Sequence, residues 1–234
     1  MPVRPRPAPV IDAVIPARNE APTVAAVVEA STGCAHVREV IVVDDGSGDD
    51  TAERAAAAGA KVVDHHPGGS KAMAMEAGVQ ASDADAILFV DADLTGLTSA
   101  HLDDICRPFL EGRAVMSIGT FDYGRRWNWL VLRFPPTTGE RVLPRWVFDA
   151  VPPHKRQGYT IEVMINEVIA EGHLPTTARV MKGVFHRTKR EKYGLVRGTR
   201  LTWRMFFQLL ALPFRGVVRW RTYWFYLRQL TVED

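Results

Sequence analysis

Cysteine is almost missing from this 234-residue chain, in which Cys34 and Cys106 are the only two. Two thiols so far apart make neither a CxxC motif nor a disulfide framework, which excludes the small stapled scaffolds of secreted proteins. They read as reduced packing residues of a cytoplasmic protein. Charge of one sign is equally lacking: 29 Lys and Arg stand against 27 Asp and Glu, a formal net charge of +2. The net charge therefore says little about partners, although from Arg179 to Arg228 basic residues far outnumber acidic ones. Long apolar runs are absent as well. In the tail from Thr199 to Leu230 the longest uncharged stretch, Met205 to Phe214, has ten residues, about half of the roughly twenty that span a bilayer. The first ten residues carry arginines but no apolar run, so they are expected to be a flexible lead-in rather than a secretory signal.

What is present is an ordinary globular composition, 47% hydrophobic and 24% charged, long enough for one large α/β domain over residues 1–198 with an appendage at 199–234. Ile11 to Ile15, Glu39 to Val43, Lys61 to Val63 and Ala86 to Val90 are apolar runs without polar alternation. Between them lie helical patterns at Ala21 to Ala30, Thr51 to Ala58 and from Gly68–Gly69 to about Ala81. Strands that alternate with helices, each strand apolar on both faces, predict a mostly parallel sheet covered on both sides. A helix over 98–111 and a strand over 114–119 follow. Regularity then fades into loops and short helices through the segment with Trp127, Trp129, Pro135, Pro136 and Gly139, before a helix at Ile161 to Ala170 and a strand at Thr177 to Val180.

In an open parallel sheet the ligand lies beyond the carboxyl ends of the strands, where loop amides and helix N-termini converge. The polar residues here sit at those ends: Pro16, Ala17, Arg18, Asn19 and Glu20 after the first strand, Asp44, Asp45 and Gly46 after the second, Asp91, Ala92 and Asp93 after the fourth. Acidic groups from separate strands meeting at one edge predict a site for a cation, or for a ligand that brings its own. Taken alone, Asp44–Asp45–Gly46–Ser47 is also ordinary turn and capping chemistry.

The ordered motifs PARNE at 16–20, VVDDGSGDDT at 42–51, GGSKAMAMEAG at 68–78 and FVDADL at 89–94 resemble those of family 2 glycosyltransferases and their GT-A relatives. More loosely, TGERVLPRWVFDAVP at 138–152, GYTIEV at 158–163 and GVFHR at 183–187 are similar to glucosyl-3-phosphoglycerate synthases and polyprenyl-phosphate sugar transferases. The resemblance implies a GT-A fold with a Rossmann-like, mostly parallel sheet flanked by helices. It also implies transfer of a sugar from a UDP- or GDP-sugar to a small phosphorylated or polyprenyl-phosphate acceptor, with Mg²⁺ or Mn²⁺. By the same resemblance, the Pro16–Glu20 loop and Asp44 hold base and ribose, Lys71 meets the diphosphate, and Asp93 ligates the metal with His186 completing its site. Asp91 lies nearer the ribose or a metal-bound water. Ser70–Lys71–Ala72 departs from the Gly-Lys-Gly usual in such relatives. Glu162 and Glu140 are the acceptor-side carboxylates from which an inverting transferase would draw a general base. Glu162 also reads as a first-turn carboxylate favoured by the helix dipole.

The tail from Thr199 is expected to be helical. Arginines interleaved with Trp, Phe and Tyr fit helices packed on the domain or in a homodimer interface, and also a peripheral contact with anionic lipid at the inner face of the membrane. No nucleic-acid-binding motif accompanies them. A nucleotidyltransferase would carry a Gly-rich loop with Arg and Lys after the first strand, where this chain has PARNE. A non-catalytic membrane-docking protein on the same fold would have no chemical need of Asp93, Asp44 and Lys71.

Overall fold

The computed structural model describes residues 8–66, 68–122, 124, 138–156, 160–186 and 219–233. The expected alternation is present: β1 (Ile11–Ala17), α1 (Val24–Thr32), β2 (Val37–Asp44), α2 (Thr51–Ala57), β3 (Lys61–Asp64), α3 (Lys71–Gln80) and β4 (Ala86–Phe89). A two-residue strand β5 (Leu94–Thr95), the helix α4 (Ser99–Leu110) and β6 (Met116–Phe121) follow. Then come β7 (Arg141–Pro144), α5 (Arg145–Asp149), a 3-10 turn at Pro153–Lys155, α6 (Ile161–Glu171), β8 (Thr176–Met181) and β9 (Phe185–His186). The described chain ends in α7 (Trp220–Gln229) and β10 (Leu230–Glu233).

Eight strands form one sheet in the order β10-β8-β6-β7-β4-β1-β2-β3. Every neighbouring pair is parallel except those made by β7, which runs antiparallel between β4 and β6. The strands read as continuous apolar runs because both faces are covered. Along β1 the side chains divide between two cores. Val14 packs with Ile41, Phe89 and Met75 of α3 on one face, while Ala13 and Ile15 pack with Val27 of α1 and Leu102 of α4 on the other. Gly78 of α3 lies against β1 so closely that a Cβ there would overlap the Val14 side chain. Such tight helix-to-sheet seating brings the start of α3 to the sheet edge.

Two expectations are corrected. The segment 121–160, read as loops and short helices, supplies β7 as a central strand. The tail, read as helical, is helical at Trp220–Gln229, but its last described residues are the edge strand β10 paired with β8. Tyr226 of α7 is buried, and its hydroxyl donates to Asn166 of α6. Of the lead-in, residues 1–7 lie outside the described residues, while the Val10 N–H donates to the Asp85 carboxylate at 2.9 Å. Trp127, Trp129, Pro135, Pro136 and residues 199–218 are likewise outside them. Cys34 and Cys106 are buried free thiols, as expected of packing residues. Among the described residues no helix is long and apolar enough to cross a membrane.

Candidate functional site

The carboxyl ends of β1, β2 and β4 carry the acidic groups, and each is held by local geometry. Asn19 turns the chain out of β1 with φ of 56°, a left-handed conformation that Asn tolerates. Its side-chain oxygen accepts from the Gly48 N–H at 2.8 Å, and its own N–H donates to Ser47 Oγ at 3.0 Å. The Pro16–Glu20 loop and the Asp44–Ser47 turn are thereby laced into one wall. Asp44 accepts from the Ser47 N–H at 3.0 Å, so the turn role open to DDGS is filled. Asp45 accepts from the Gly69 N–H at 2.8 Å and lies 2.9 Å from His65 Nδ1. Arg18 reaches Asp45 only at 3.9 Å and is over half exposed. Gly46 and Gly68, both at positive φ, cross within a few ångström of each other.

Asp45 thus holds the loop that opens α3. Ser70 caps that helix, its hydroxyl accepting from the Met73 N–H, where the relatives' pattern would have glycine. Lys71 follows as the first helical residue. Its ammonium stands 2.6 Å from Asp91 Oδ1 and 2.8 Å from Glu162 Oε1. Burial opposes that charge, but Asp91 and Glu162 outweigh it and hold the Lys71 pKa above its ordinary range. Three segments far apart in sequence therefore meet at one nitrogen.

The next cluster is Asp91, Glu140 and His186, whose ligand atoms all lie within 4.8 Å of one another. Glu140 precedes β7 and is fully buried. Its Oε2 accepts from the Thr138 hydroxyl, whereas its Oε1 is buried without a hydrogen-bond partner among the described residues. Burial first, and then the Asp91 charge, push the Glu140 carboxyl up to about 7, against the pull of His186. His186 arrives through a second, two-stranded ladder in which Leu94 of β5 faces His186 of β9. That pairing brings its Nδ1 to 3.0 Å from Asp93 Oδ1, with its ring against Phe121 at 4.4 Å between centroids. Burial lowers the His186 pKa, but the Asp93 bond and the nearby Glu140 and Asp91 raise it to about 9. Ala92 turns its own side chain inward, and its carbonyl accepts from the Thr23 hydroxyl at 2.7 Å.

Carboxylate oxygens with one imidazole are a donor set that Mn²⁺ accepts readily and Mg²⁺ tolerates. The buried, unpartnered Glu140 oxygen is the kind of group such an ion would satisfy. The residues present therefore fit a divalent cation. Among the sequence expectations, Lys71, Asp91, Asp93, Glu140, Glu162 and His186 come together. The Pro16–Glu20 loop with Asp44, Asp45 and Gly46 forms the adjoining wall. The geometry groups Asp91 and Glu140 with His186, whereas Asp93, expected as the direct ligand, bonds His186 from the side.

Sequence reasoning passed over Arg141. This arginine is fully buried beneath the site and donates to the Thr138 carbonyl, to the Glu162 carbonyl at 3.3 Å and to Asn166 Oδ1 at 3.2 Å. Burial lowers its pKa, with Glu162 among the groups that counter this. It ties the segments that carry Glu140 and Glu162. Gly139 was noted only as a loop residue, yet a Cβ there would fall on the Asp91 carboxylate. The one available signal was the oddity of Glu-Arg opening an otherwise apolar run.

An open, nearly parallel α/β sheet with an acidic cluster that fits a divalent cation and an anchored lysine at its carboxyl edge defines the class of α/β protein whose ligand site lies beyond the ends of the strands. The family model described as glycosyl transferase family 2 matches residues 12–155, and the chain belongs to that family. The glucosyl-3-phosphoglycerate synthase of Mycobacterium tuberculosis is 32% identical over 122 residues, 47% of this chain and 37% of the relative. That of Mycolicibacterium smegmatis is 41% identical over 109 residues, 43% and 36% of the two chains. The matched stretch thus spans little more than a third of these curated relatives. Among solved structures, the M. tuberculosis synthase with Mg²⁺ and UDP superposes with a TM-score of 0.66 at 26% identity, covering 76% of this chain and 72% of that one. Its complex with Mn²⁺, UDP-glucose and phosphoglyceric acid gives 0.65 at the same identity and coverage. The sheet topology above is the fold these neighbours share, as the GT-A resemblance implied.

Proposed function

We propose that this protein is a metal-dependent glycosyltransferase that moves a sugar from a nucleoside diphosphate sugar, UDP-glucose first among them, to a small phosphorylated acceptor of the phosphoglycerate kind. One observation carries the reading: Asp91 stands between the Lys71 ammonium and the Glu140–His186 pair at the sheet's carboxyl edge. The solved neighbours in complex with UDP-glucose, phosphoglyceric acid and Mn²⁺ support the donor, the acceptor class and the metal. They favour the small acceptor over the polyprenyl phosphate.

In this reading Asp91, Glu140 and His186, with Asp93 beside them, hold Mn²⁺ or Mg²⁺, which neutralises the diphosphate leaving group when bound. Asp44 and the Pro16–Glu20 loop receive base and ribose. Lys71, fixed by Asp91 and Glu162 in the first turn of α3, presents positive charge where phosphate oxygens gather. Glu162 and Glu140, expected as acceptor-side bases, serve instead to hold Lys71 and the cation.

The test is calorimetric titration of UDP-, GDP-, ADP- and CDP-sugars with and without Mn²⁺, followed by product analysis with 3-phosphoglycerate. Metal-dependent binding of one nucleotide, abolished by Asp93→Ala, and a glycosylated phosphoglycerate are expected. Pyrophosphate release from a nucleoside triphosphate would replace this reading with nucleotidyl transfer. Binding without turnover on any acceptor would leave a non-catalytic protein. A further contact with anionic lipid is favoured by Trp220 and Trp224, one helical turn apart on α7 and 56% and 58% exposed. Sedimentation with anionic vesicles tests it.

A further inference from the structure

We infer that His65 is a positioning residue for the nucleotide diphosphate: through Asp45 it fixes the Gly68–Gly69 loop that sets Lys71 at the start of α3. The inference rests on the glycosyltransferase reading. It also moves Asp45 from the residues that would touch the nucleotide to those that shape the loop.

Three observations converge on it. First, the Asp45 carboxylate is already occupied. It is 5% exposed, and its Oδ1 accepts from the Gly69 N–H at 2.8 Å and meets His65 Nδ1 at 2.9 Å. A carboxylate only accepts, so Nδ1 is the donor, in the neutral ring as in the charged one. Two donors on one oxygen fill its two lone pairs. What remains, Oδ2, faces the Arg18 guanidinium 3.9 Å away.

Second, the loop cannot anchor itself. Gly68 and Gly69 have no side chains, and glycine loses more conformational freedom on folding than any other residue. The anchor therefore comes from outside. Gly68, with φ of 71°, passes so close to the turn after β2 that a Cβ on it would lie 2.5 Å from the Asp45 carbonyl oxygen. His65 brackets this contact: its N–H donates to the Asp44 carbonyl at 3.0 Å, and its carbonyl accepts from the Gly68 N–H at 2.8 Å. With backbone and ring together, one residue at the end of β3 ties the turn after β2 to the loop before α3.

Third, what the loop delivers is a single ammonium. Lys71 lies two residues past Gly69, and its far end is held by Asp91 at 2.6 Å and Glu162 at 2.8 Å. Those bonds set where the ammonium points, and the loop sets where its backbone begins. The wall that receives base and ribose is laced separately, by Asn19 to Ser47 and Gly48, through bonds in which neither the His65 ring nor the Asp45 carboxylate takes part. Loss of the His65–Asp45 bond should therefore be felt at the diphosphate and not at the nucleoside.

The experiment titrates the full chain with UDP and with UMP, which lacks the β-phosphate, each with Mn²⁺, by calorimetry, in the wild type, His65→Ala and His65→Asn. His65→Ala should weaken UDP by about tenfold, the worth of one hydrogen bond to a charged group, and UMP by less than about twofold. His65→Asn, whose amide can donate to Asp45 in place of Nδ1, should bring UDP back to within about threefold of the wild type. Unchanged UDP affinity in His65→Ala, an equal loss on UDP and UMP, or no recovery in His65→Asn would each overturn the inference and leave the glycosyltransferase reading in place. Absence of UDP binding by the wild type would defeat the UDP-sugar reading, and the inference with it. Should His65→Ala fail to fold by circular dichroism, hydrogen exchange of the Gly69 amide in the wild type, followed by nuclear magnetic resonance, decides: slowing by about tenfold or more against an unstructured glycine is expected, and free exchange overturns the inference.

Discussion

Lys71 is the residue on which the site's architecture is most exposed to test. Its ammonium bridges Asp91 at 2.6 Å and Glu162 at 2.8 Å, with side-chain exposures of 19%, 17% and 5% for the three groups. Lys71→Met keeps the stem and its packing but deletes the charge, leaving two largely buried carboxylates facing each other. Breaking a buried pair by removing one partner costs about 3–5 kcal/mol. Partial exposure of Lys71 and Asp91 discounts this to roughly 2–3 kcal/mol. For a chain of this size that is a fall in Tm of about 4–12 °C. The folded-state pKa is raised, so the contribution is fully present below the ordinary lysine value of 10.5 and fades only at more alkaline pH. Urea unfolding at pH 7, followed by tryptophan fluorescence, measures the loss. The companion Glu162→Gln and the double variant close a thermodynamic cycle, with a coupling energy of about 1–3 kcal/mol expected. A cost below about 0.5 kcal/mol with no coupling would mean that Lys71 is the solvated first-turn lysine its position in a helix otherwise allows. The bridge from α3 to β4 and α6 would then be refuted.

Gly139→Ala should weaken Mn²⁺ binding by about tenfold or more while leaving the fold intact by circular dichroism, because the new methyl would displace the Asp91 carboxylate. In chelator, stability should fall as pH rises. Folded Glu140 keeps its proton to about 7 against an ordinary 4.5, and folded His186 to about 9 against 6.5, so the native state holds more protons than the unfolded chain across that range. Mn²⁺ affinity should rise over the same window, with proton release visible by calorimetry in buffers of different ionisation enthalpy. Tyr226→Phe removes the hydroxyl that donates to Asn166, a partner of Arg141, and should cost about 1 kcal/mol in urea unfolding.

Much of this arrangement could be read from local pattern. The βα alternation was legible because parallel strands covered on both faces are apolar without interruption, and the polar residues that close them stand out by contrast. PARNE, DDGS and Asp91–Ala92–Asp93 were therefore found at the edge where they lie. The bond between Lys71 and Glu162 was not legible, since nothing in either segment names a partner so remote. The place of Glu140 beside Asp91 was not legible for a related reason. Its neighbours Arg141 to Pro144 begin with a charge and end with proline, which is no strand signal at all. They form a strand because β4 and β6 supply ladders on both sides, while the Arg141 guanidinium is satisfied by the carbonyls of Thr138 and Glu162. The closing strand Leu230–Glu233 escaped notice likewise, because the chain passes from α7 to β10 through Leu230 with no turn residue between.

The direction of β7 decides what its leading residues can do. In a parallel strand the residues before it lie at the amino edge of the sheet, away from the ligand, and those after it enter the site. β7 is antiparallel to β4, with Arg141 opposite Phe89 and Pro144 opposite Ala86. Its start therefore meets the end of β4, and Thr138, Gly139 and Glu140 fall at the carboxyl edge beside Asp91. Had the same four residues run parallel, Glu140 would stand about 13 Å away at the opposite edge, from a rise of about 3.3 Å per residue. The Glu140 N-terminal to a reversed strand is thus equivalent in space to the Asp91 C-terminal to a forward one. A reversed central strand lets the sheet bring carboxylates to one edge from both chain directions, and the cluster with His186 depends on it.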